Sequence, residues 1–500
     1  MKDLVIGIDS STQSTKAIAW DAAGHAVAEG RAPIALYQPQ PGWAEQDVEN
    51  WWQACCTALT QLGTRIDMAR VAAVAISNQR ETVAFIDKDG RAVRPAMVWL
   101  DERAEAEVQR LDREFGGERL HRITGRPLDV IPVVYRVAWM TRHEPENLAR
   151  CWKILDVHSF LAGRLTGHYT ASWTSADPFA IFDIHQHDWS GPILDYLGLT
   201  AERFADHLPP ASLIGTVTPA AAALTGLVAG TPLVTAGGDG QCAGLGVNAT
   251  RPGVFYLNLG TAIVAGIWAA DPTISLNWRS MLSPTGKGYF LECCQRGGAF
   301  FLNWFVDNFA GGRADPAVFN RLEQQAATIP VGSEGVYVCP YISGVMDPYW
   351  DSGARASFHG LGPGHTTAHL YRAILEALTL ETARGVAAMR ASGLDLREII
   401  AVGGGSNNRL WLQMHADTTS LPVKISESLE ASALGAGITA AVYSGWYPDF
   451  DAAATAMCRT AAEYHPDTAL QADWEVVSQR QASAYQQQKP PSTSRSTPVQ

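Results

Sequence analysis

The feature of this sequence that most restricts its fold is a unit that occurs twice: an apolar strand, a tight polar turn and a returning apolar strand. Leu4-Val5-Ile6-Gly7-Ile8 runs into Asp9, and Ala17-Ile18-Ala19-Trp20 returns. In the second half Gly253-Val254-Phe255-Tyr256-Leu257-Asn258 runs into Leu259-Gly260-Thr261, and Ala262 to Trp268 returns. A strand followed directly by a strand is a hairpin, not the strand-then-helix of a dinucleotide-binding unit. Two copies, each opening half of the chain, point to an internal duplication with a cleft between the halves. The expected boundary lies near Val247 to Arg251, which gives domains 1–248 and 249–485. The remainder, 486–500, is polar and proline-bearing without periodicity and is expected to be disordered.

A chain of 500 residues exceeds what one core usually serves, in agreement with two domains. With 47% apolar and 18% charged residues it can bury sizeable cores. A formal charge of -12 argues against nucleic acid or an anionic membrane as partner and fits a small neutral substrate better. The eight cysteines include the adjacent pairs Cys55-Cys56 and Cys293-Cys294 but no CxxC, so free thiols in a reducing compartment are expected rather than zinc or disulfides. Met1-Lys2-Asp3 leads straight into a strand without a signal-peptide core, and the expected location is the cytoplasm. The uncharged stretches from Leu208 to Gly238 and from Pro252 to Ala270 contain prolines or a polar turn that lipid would leave unsatisfied, so they read as core strands.

After the first hairpin the period changes. Trp51, Cys55, Leu59 and Leu62 recur at helical spacing behind Asp47, a suitable N-cap. Val71 to Ile76 is a strand that ends at Asn78-Gln79-Arg80-Glu81-Thr82, and a second helix is expected from Asp101, with Ala104, Val108, Leu111 and Phe115 on one face.

Three glycine-rich or polar turns carry the chemistry. Gly237-Gly238-Asp239-Gly240-Gln241 follows the apolar strand Leu233-Val234-Thr235-Ala236, which places Asp239 like a general base on a backbone that a ligand can approach. Asp9-Ser10-Ser11-Thr12-Gln13-Ser14-Thr15-Lys16 crowds hydroxyls and N–H groups into a turn with a carboxylate and an ammonium at its ends, which suits phosphate and magnesium or an ordinary polar hairpin. Ala401-Val402-Gly403-Gly404-Gly405-Ser406-Asn407-Asn408 presents bare backbone before a helix from Leu410 to Asp417, an arrangement that suits a nucleotide. His158, His185, His187, His359 and His369 have no paired metal spacing.

With these turns in this order, Ala356-Ser357-Phe358-His359-Gly360-Leu361, followed by His369-Leu370 and Ala373-Ile374-Leu375-Glu376, resembles the second signature of the FGGY carbohydrate kinases. The likeness extends over about residues 4 to 485. It implies an α/β fold of two ribonuclease-H-like domains of the actin/hexokinase/Hsp70 type with an interdomain cleft. It also implies a phosphotransferase with an alcohol group as acceptor, using ATP and Mg2+. The family's first signature is altered, with Val133, Tyr135 and Arg136-Val137-Ala138-Trp139 where a small residue and a lysine are expected, and Ser11 stands where glycine is usual.

Carried over by position, Asp239 resembles the catalytic base, and Asp9 with Asp239 would organise magnesium, directly or through water. Thr12, Gln13 and Lys16 would line the phosphates, Gly260 and Thr261 match a second phosphate loop, Gly404, Gly405 and Asn408 match the adenosine wall, and Gly298 and Asn303 would close that pocket. Gln79-Arg80-Glu81-Thr82 resembles the glycerol kinases, where a forked donor beside a carboxylate matches a diol. Trp99-Leu100-Asp101-Glu102-Arg103 has the form found in pentulose kinases. Arg80, Glu81, Trp99, Asp101, Asp239 and Gln241 are therefore the expected sugar-binding residues. A ketopentose of the xylulose type is favoured over glycerol or a four-carbon polyol such as erythritol. Two readings of another class remain on the same fold, a chaperone-like ATPase and a catalytically silent ATP and sugar sensor. Many members of the family dimerise, which leaves a homodimer open.

Overall fold

A computed structural model describes residues 2–487. The first sheet contains β1 (Leu4–Ser10), β2 (Ser14–Trp20), β3 (Ala26–Pro33), β4 (Val71–Asn78), β5 (Leu213–Thr216) and β6 (Pro232–Gly238), in the order β5-β6-β4-β1-β2-β3. The hairpin β1-β2 and its extension to β3 are antiparallel, whereas β4 runs parallel to β1 and β6 parallel to β4. Side chains of successive strand residues leave the sheet on opposite faces. Leu4, Ile6 and Ile8 accordingly join one core with helix α1 (Val48–Gly63), through its Trp51, Cys55, Leu59 and Leu62. Val5 belongs to another core, shared with Leu434, Ala436 and Ile438. Because both faces are covered, β1 is buried along its whole length, which is why it reads as an unbroken apolar run. Asp47 caps α1 by accepting a hydrogen bond from the Glu49 amide, as its position suggested.

The helix expected from Asp101 is α2 (Glu105–Glu114), with Ala104 at its N-cap, and α3 (Val133–His143) follows. Residue Asp239 opens α4 (Asp239–Gly246) immediately beyond β6. The second sheet contains β7 (Gly253–Leu259), β8 (Ile263–Ala269), β9 (Arg279–Leu282), β10 (Tyr289–Gln295), β11 (Leu396–Val402), β12 (Val423–Ser426) and β13 (Thr460–Tyr464), in the order β9-β10-β8-β7-β11-β12-β13. The strands β7 and β8 are neighbours, as β1 and β2 are, so both copies of the repeated unit form strand pairs. The remaining helices used below are α5 (Gly298–Phe309), α6 (Thr367–Ala391), α7 (Arg409–Thr419), α8 (Ala431–Tyr443) and α9 (Gln471–Gln486).

Among the described residues two compact units emerge from the packing: one of residues 2–256, 265–292 and 425–461, the other of 257–264, 293–424 and 462–487. Chain order and packing therefore differ, because the alanine-rich helix α8, late in the sequence, covers the first sheet and packs on α4. The tail expected at 486–500 lies outside the described residues from 488 on, and its first residue is corrected: Gln486 closes α9, whose Trp474, Val477, Gln481, Ala484 and Tyr485 are buried. Tyr485 packs edge-on against Tyr341, an anchor that polar neighbours hide in the sequence. Among the described residues no helix is long and apolar enough to cross a membrane.

Candidate active site

Three parallel strands of the first unit, β6, β4 and β1, end side by side, and their register sets the site. Ser77 of β4 stands opposite Asp9 on one side and Gly237 on the other, and Asn78 stands opposite Ser10 and Gly238. Open α/β sheets bind ligands beyond the carboxyl ends of such strands. Here those ends deliver Asp9, the segment Gln79-Arg80-Glu81 and Asp239 to one edge of one sheet.

Asp239 sits at the N-terminal residue of α4, where the helix dipole favours an anion. One of its oxygens accepts from the Gly240 amide at 2.8 Å and from Arg80 Nε at 3.1 Å. The neighbouring glycines serve that contact: a Cβ on Gly238 would lie 2.6 Å from Arg80 Cδ, and one on Gly240 would lie 2.6 Å from an Arg80 terminal nitrogen. Although 37% of its side chain reaches the surface, burial of the carboxyl raises its pKa, with Arg80 opposing and Glu81 adding to the rise. Asp9 is 7% exposed and accepts from the Ser77 hydroxyl at 3.1 Å. Burial, reinforced by the charge of Asp239, pushes its carboxyl up to about 7, against the pull of Lys16. A buried carboxyl raised further by the charge of a neighbouring carboxylate marks a place of excess negative potential.

Behind Arg80 lies a buried network that sequence reasoning missed. One terminal nitrogen of Arg80 contacts Glu292 Oε2 at 3.1 Å and Gln241 Oε1 at 3.3 Å. Glu292 also receives the Tyr256 hydroxyl at 2.9 Å and a terminal nitrogen of Arg279. Glu81, 5% exposed and with a left-handed backbone at φ 51°, accepts from the other terminal nitrogen of Arg279 at 3.1 Å. Arg126 pairs with Asp177 at 2.7 Å and lies 3.7 Å from Glu81. Burial alone would raise the Glu292 carboxyl, but Arg80 and Arg279 outweigh it and hold the group down at about 2. The signal was present in part: a glutamate between Leu291 and Cys293, inside an apolar strand, demands a buried cation.

The other expected residues of this unit divide. Trp99 is half-buried and donates its indole N–H to the Thr12 hydroxyl at 2.9 Å, which ties it to the first turn. Gln13 is exposed on that turn. Lys16 forms a 2.5 Å ion pair with Glu430, which Arg31 also contacts at 3.1 Å. Asp101 stands apart: it is fully buried, and its two oxygens accept from the amides of Ala44 and Arg103 and from two guanidinium nitrogens of Arg103. With its lone pairs taken up in this way, it holds Arg103 rather than facing a ligand.

In the second unit a cavity of about 550 Å³ is lined by Gly260, Thr261, Asn303, Gly404, Gly405 and Asn408, together with Leu302, Phe319, Tyr371 and Trp411. Six of the residues expected around the nucleotide thus meet there, while Gly298 opens α5, next to Ala299 of the lining. The Asn408 side chain caps α7 by accepting from the Trp411 amide and donates to the Tyr371 hydroxyl at 3.1 Å. The walls are largely apolar with a few convergent polar groups, the usual make-up of a small-molecule site.

Residues 4–246 match the N-terminal domain, and residues 255–444 the C-terminal domain, of the FGGY family of carbohydrate kinases. The chain belongs to this family. It is a phosphotransferase with the two-domain FGGY kinase fold, of the actin/hexokinase-like type. The kinase is 27% identical to the xylulose kinase of Bacillus subtilis (strain 168) over 466 residues, 92% of each chain. To the glycerol kinase of Aromatoleum aromaticum it is 31% identical over 464 residues, 89% of this chain and 90% of that one. The solved xylulose kinase of Rhodospirillum rubrum superimposes with a TM-score of 0.89 at 28% identity, over 97% of this chain and 98% of the other.

Proposed function

We propose that this kinase transfers the γ-phosphoryl group of ATP to a hydroxyl of a small neutral sugar, a ketopentose of the xylulose type first, and that Asp239 accepts the hydroxyl proton. The observation that carries the reading is the 3.1 Å contact between Arg80 and Asp239. A guanidinium with neighbouring Glu81 can grip adjacent hydroxyls, and the same guanidinium fixes the carboxylate that must reach one of them. Charge supports a neutral acceptor: the carboxylates of Glu81, Asp177, Asp239 and Glu292 face the three guanidiniums of Arg80, Arg126 and Arg279, so no positive excess remains for an anionic sugar. Trp99 and Gln241 complete the grip, and Asp101 is left out of it.

The cavity of the second unit would take the adenosine of ATP between Gly404, Gly405 and Asn408, with Asn303 and Gly298 closing it and Gly260 and Thr261 at the phosphates. Thr12, Gln13 and Lys16 offer a hydroxyl, an amide and an ammonium for phosphate oxygens. Members of the family use ATP and generally require Mg2+. Asp9 and Asp239 fit such an ion, because a carboxyl raised to about 7 by burial, and further by the charge of its neighbour, is ionised again beside a cation. Magnesium is commonly held by one or two carboxylates together with phosphates and water. When bound, the ion would neutralise charge on the transferring phosphoryl group. Asp239 meanwhile holds the acceptor proton on Oδ2, while Arg80 and the Gly240 amide fix the carboxylate through Oδ1.

Glycerol or a tetritol is the second reading. The saturated carboxylate of Asp101 favours it, because a longer sugar was expected to use that group. ADP release measured over xylulose, ribulose, glycerol, erythritol and gluconate, the last as an anionic control, decides between them. Turnover with xylulose and not glycerol supports the first reading, glycerol alone supports the second, and a preference for gluconate sinks the argument from charge.

A further inference from the structure

We propose that Arg279 is a positioning residue of the sugar site: one guanidinium that holds Glu81 directly and Arg80 through Glu292. The inference rests on the reading of Arg80 and Glu81 as the sugar grip. Its basis is a chain of alternating charges, Glu81, Arg279, Glu292, Arg80 and Asp239, each in contact with the next. The first four side chains are 6% exposed or less. Arg279 and Glu292 stand directly opposite each other on the antiparallel strands β9 and β10, so backbone pairing sets their meeting. The two ends of the Arg279 fork are then divided, one to Glu292 Oε1 and one to Glu81 Oε1.

That division matters most for Glu81, because Glu292 Oε2 is also held by the Tyr256 hydroxyl at 2.9 Å. Glu81 carries a left-handed backbone at φ 51°, a conformation that only surrounding contacts maintain in a residue with a side chain. Arg126 approaches it no closer than 3.7 Å, beyond hydrogen-bond distance, and is itself engaged with Asp177. Arg279 holds Glu292 Oε1 while Oε2 takes Arg80 and the Tyr256 hydroxyl, so the Arg279 guanidinium helps to set the plane of the carboxylate that Arg80 meets. A planar guanidinium spans two carboxylates; a lysine ammonium on a flexible stem makes a point contact and satisfies one of them at a time.

The test uses the full chain with xylulose as acceptor, or glycerol if the panel above selects it. Kinetics are measured for Arg279→Lys, Glu81→Gln and the double variant. Arg279→Lys keeps the buried positive charge but can satisfy only one of the two carboxylates at a time, so the melting temperature is expected to fall by a few degrees while the KM for ATP stays close to that of the parent. Its KM for the acceptor is expected to rise about tenfold, with a smaller fall in kcat, as for the loss of one bidentate contact. Because both changes act on the same carboxylate, the double variant is expected to raise the KM by clearly less than the product of the single effects. A purely structural Arg279 would shift melting temperature and both KM values together, and that result overturns the proposal. If Glu81→Gln raises the acceptor KM and Arg279→Lys does not, the positioning role alone is lost. If Glu81→Gln leaves the acceptor KM unchanged, the sugar-grip reading falls and this inference falls with it. Should Arg279→Lys fail to fold, Glu292→Gln, which keeps the shape and loosens both guanidiniums, gives the same acceptor-specific rise or refutes it.

Discussion

Arg80 Nε lies 3.1 Å from Asp239 Oδ1, although the two residues leave different strands, one just beyond β4 and the other just beyond β6. Parallel pairing of those strands puts their ends level, and the glycines on either side of Asp239 leave room for the guanidinium. The contact therefore follows from the register of the sheet.

Asp239→Asn keeps that oxygen and its contact with Arg80 but cannot accept a proton. Turnover is expected to fall by about 10²–10⁴-fold, the range of a lost general base, while the KM for ATP stays close to that of the parent. Steady-state kinetics with ADP detection check this. Near-normal turnover would remove Asp239 from the role of base.

Arg80→Met should affect both sugar binding and stability. The side chain is 6% exposed and faces Asp239, Glu292 and Gln241, so its removal leaves Glu292 with one cation where it had two. Breaking a buried pair by deleting one partner costs about 3–5 kcal/mol, and Arg279 retains part of that here. Urea denaturation should register the loss, and Arg80→Met with Glu292→Gln together should be less harmful than the sum of the two. Additive effects would show that the contact contributes nothing to stability.

Gly405 and Gly404 offer an internal comparison in the second unit. A Cβ at Gly405 would lie 2.7 Å from Leu259 Cβ and 2.7 Å from Trp411 Cζ3, whereas one at Gly404 meets nothing within 4 Å. Gly405→Ala should cost about 1–3 kcal/mol through overpacking and raise the KM for ATP, with the sugar KM unchanged. Gly404→Ala should fold as the parent does. Thermal melts with and without ATP separate the two, and equal melting temperatures for both variants would contradict the packing described.

Much of this was legible because strand and turn chemistry are local. The repeated hairpin, the Asp47 cap and the strand before Asp239 follow from patterns a few residues long, whereas the six expected residues that line the cavity of the second unit came from the resemblance to the family. What escaped was non-local. Glu292 in its apolar strand calls for a buried cation, but Arg279 becomes that cation only when β9 pairs with β10, and Glu430 meets Lys16 only because α8 returns to the first sheet. Asp101 shows the opposite case, since its local motif suggested a sugar ligand while Ala44 and Arg103 meet its oxygens in the fold. A short motif shows which groups are present, but not which of them the fold has already paired.

Acid should destabilise the protein through His415. This residue of α7 is fully buried, stacks on Trp411 with ring centroids 6.0 Å apart, and has no hydrogen-bond partner on either ring nitrogen. Burial lowers its pKa from 6.5 to about 3. Between those values the unfolded chain binds a proton that the folded chain does not, so stability falls as pH drops below about 6.5. From pH 7 to pH 5 the loss is about 2 kcal/mol for this group alone. Asp156 and Asp177 act the other way, because burial raises both to about 6, and a carboxyl raised on folding favours the folded state as pH falls. The net slope of the parent therefore mixes opposing groups, and the informative quantity is the difference from His415→Leu. Whatever the variant costs in packing at pH 7, its stability relative to the parent should improve by about 2 kcal/mol at pH 5, measured by urea denaturation at both values. Parallel pH dependence of the two proteins would mean that His415 is protonated, or reached by water, in the native state.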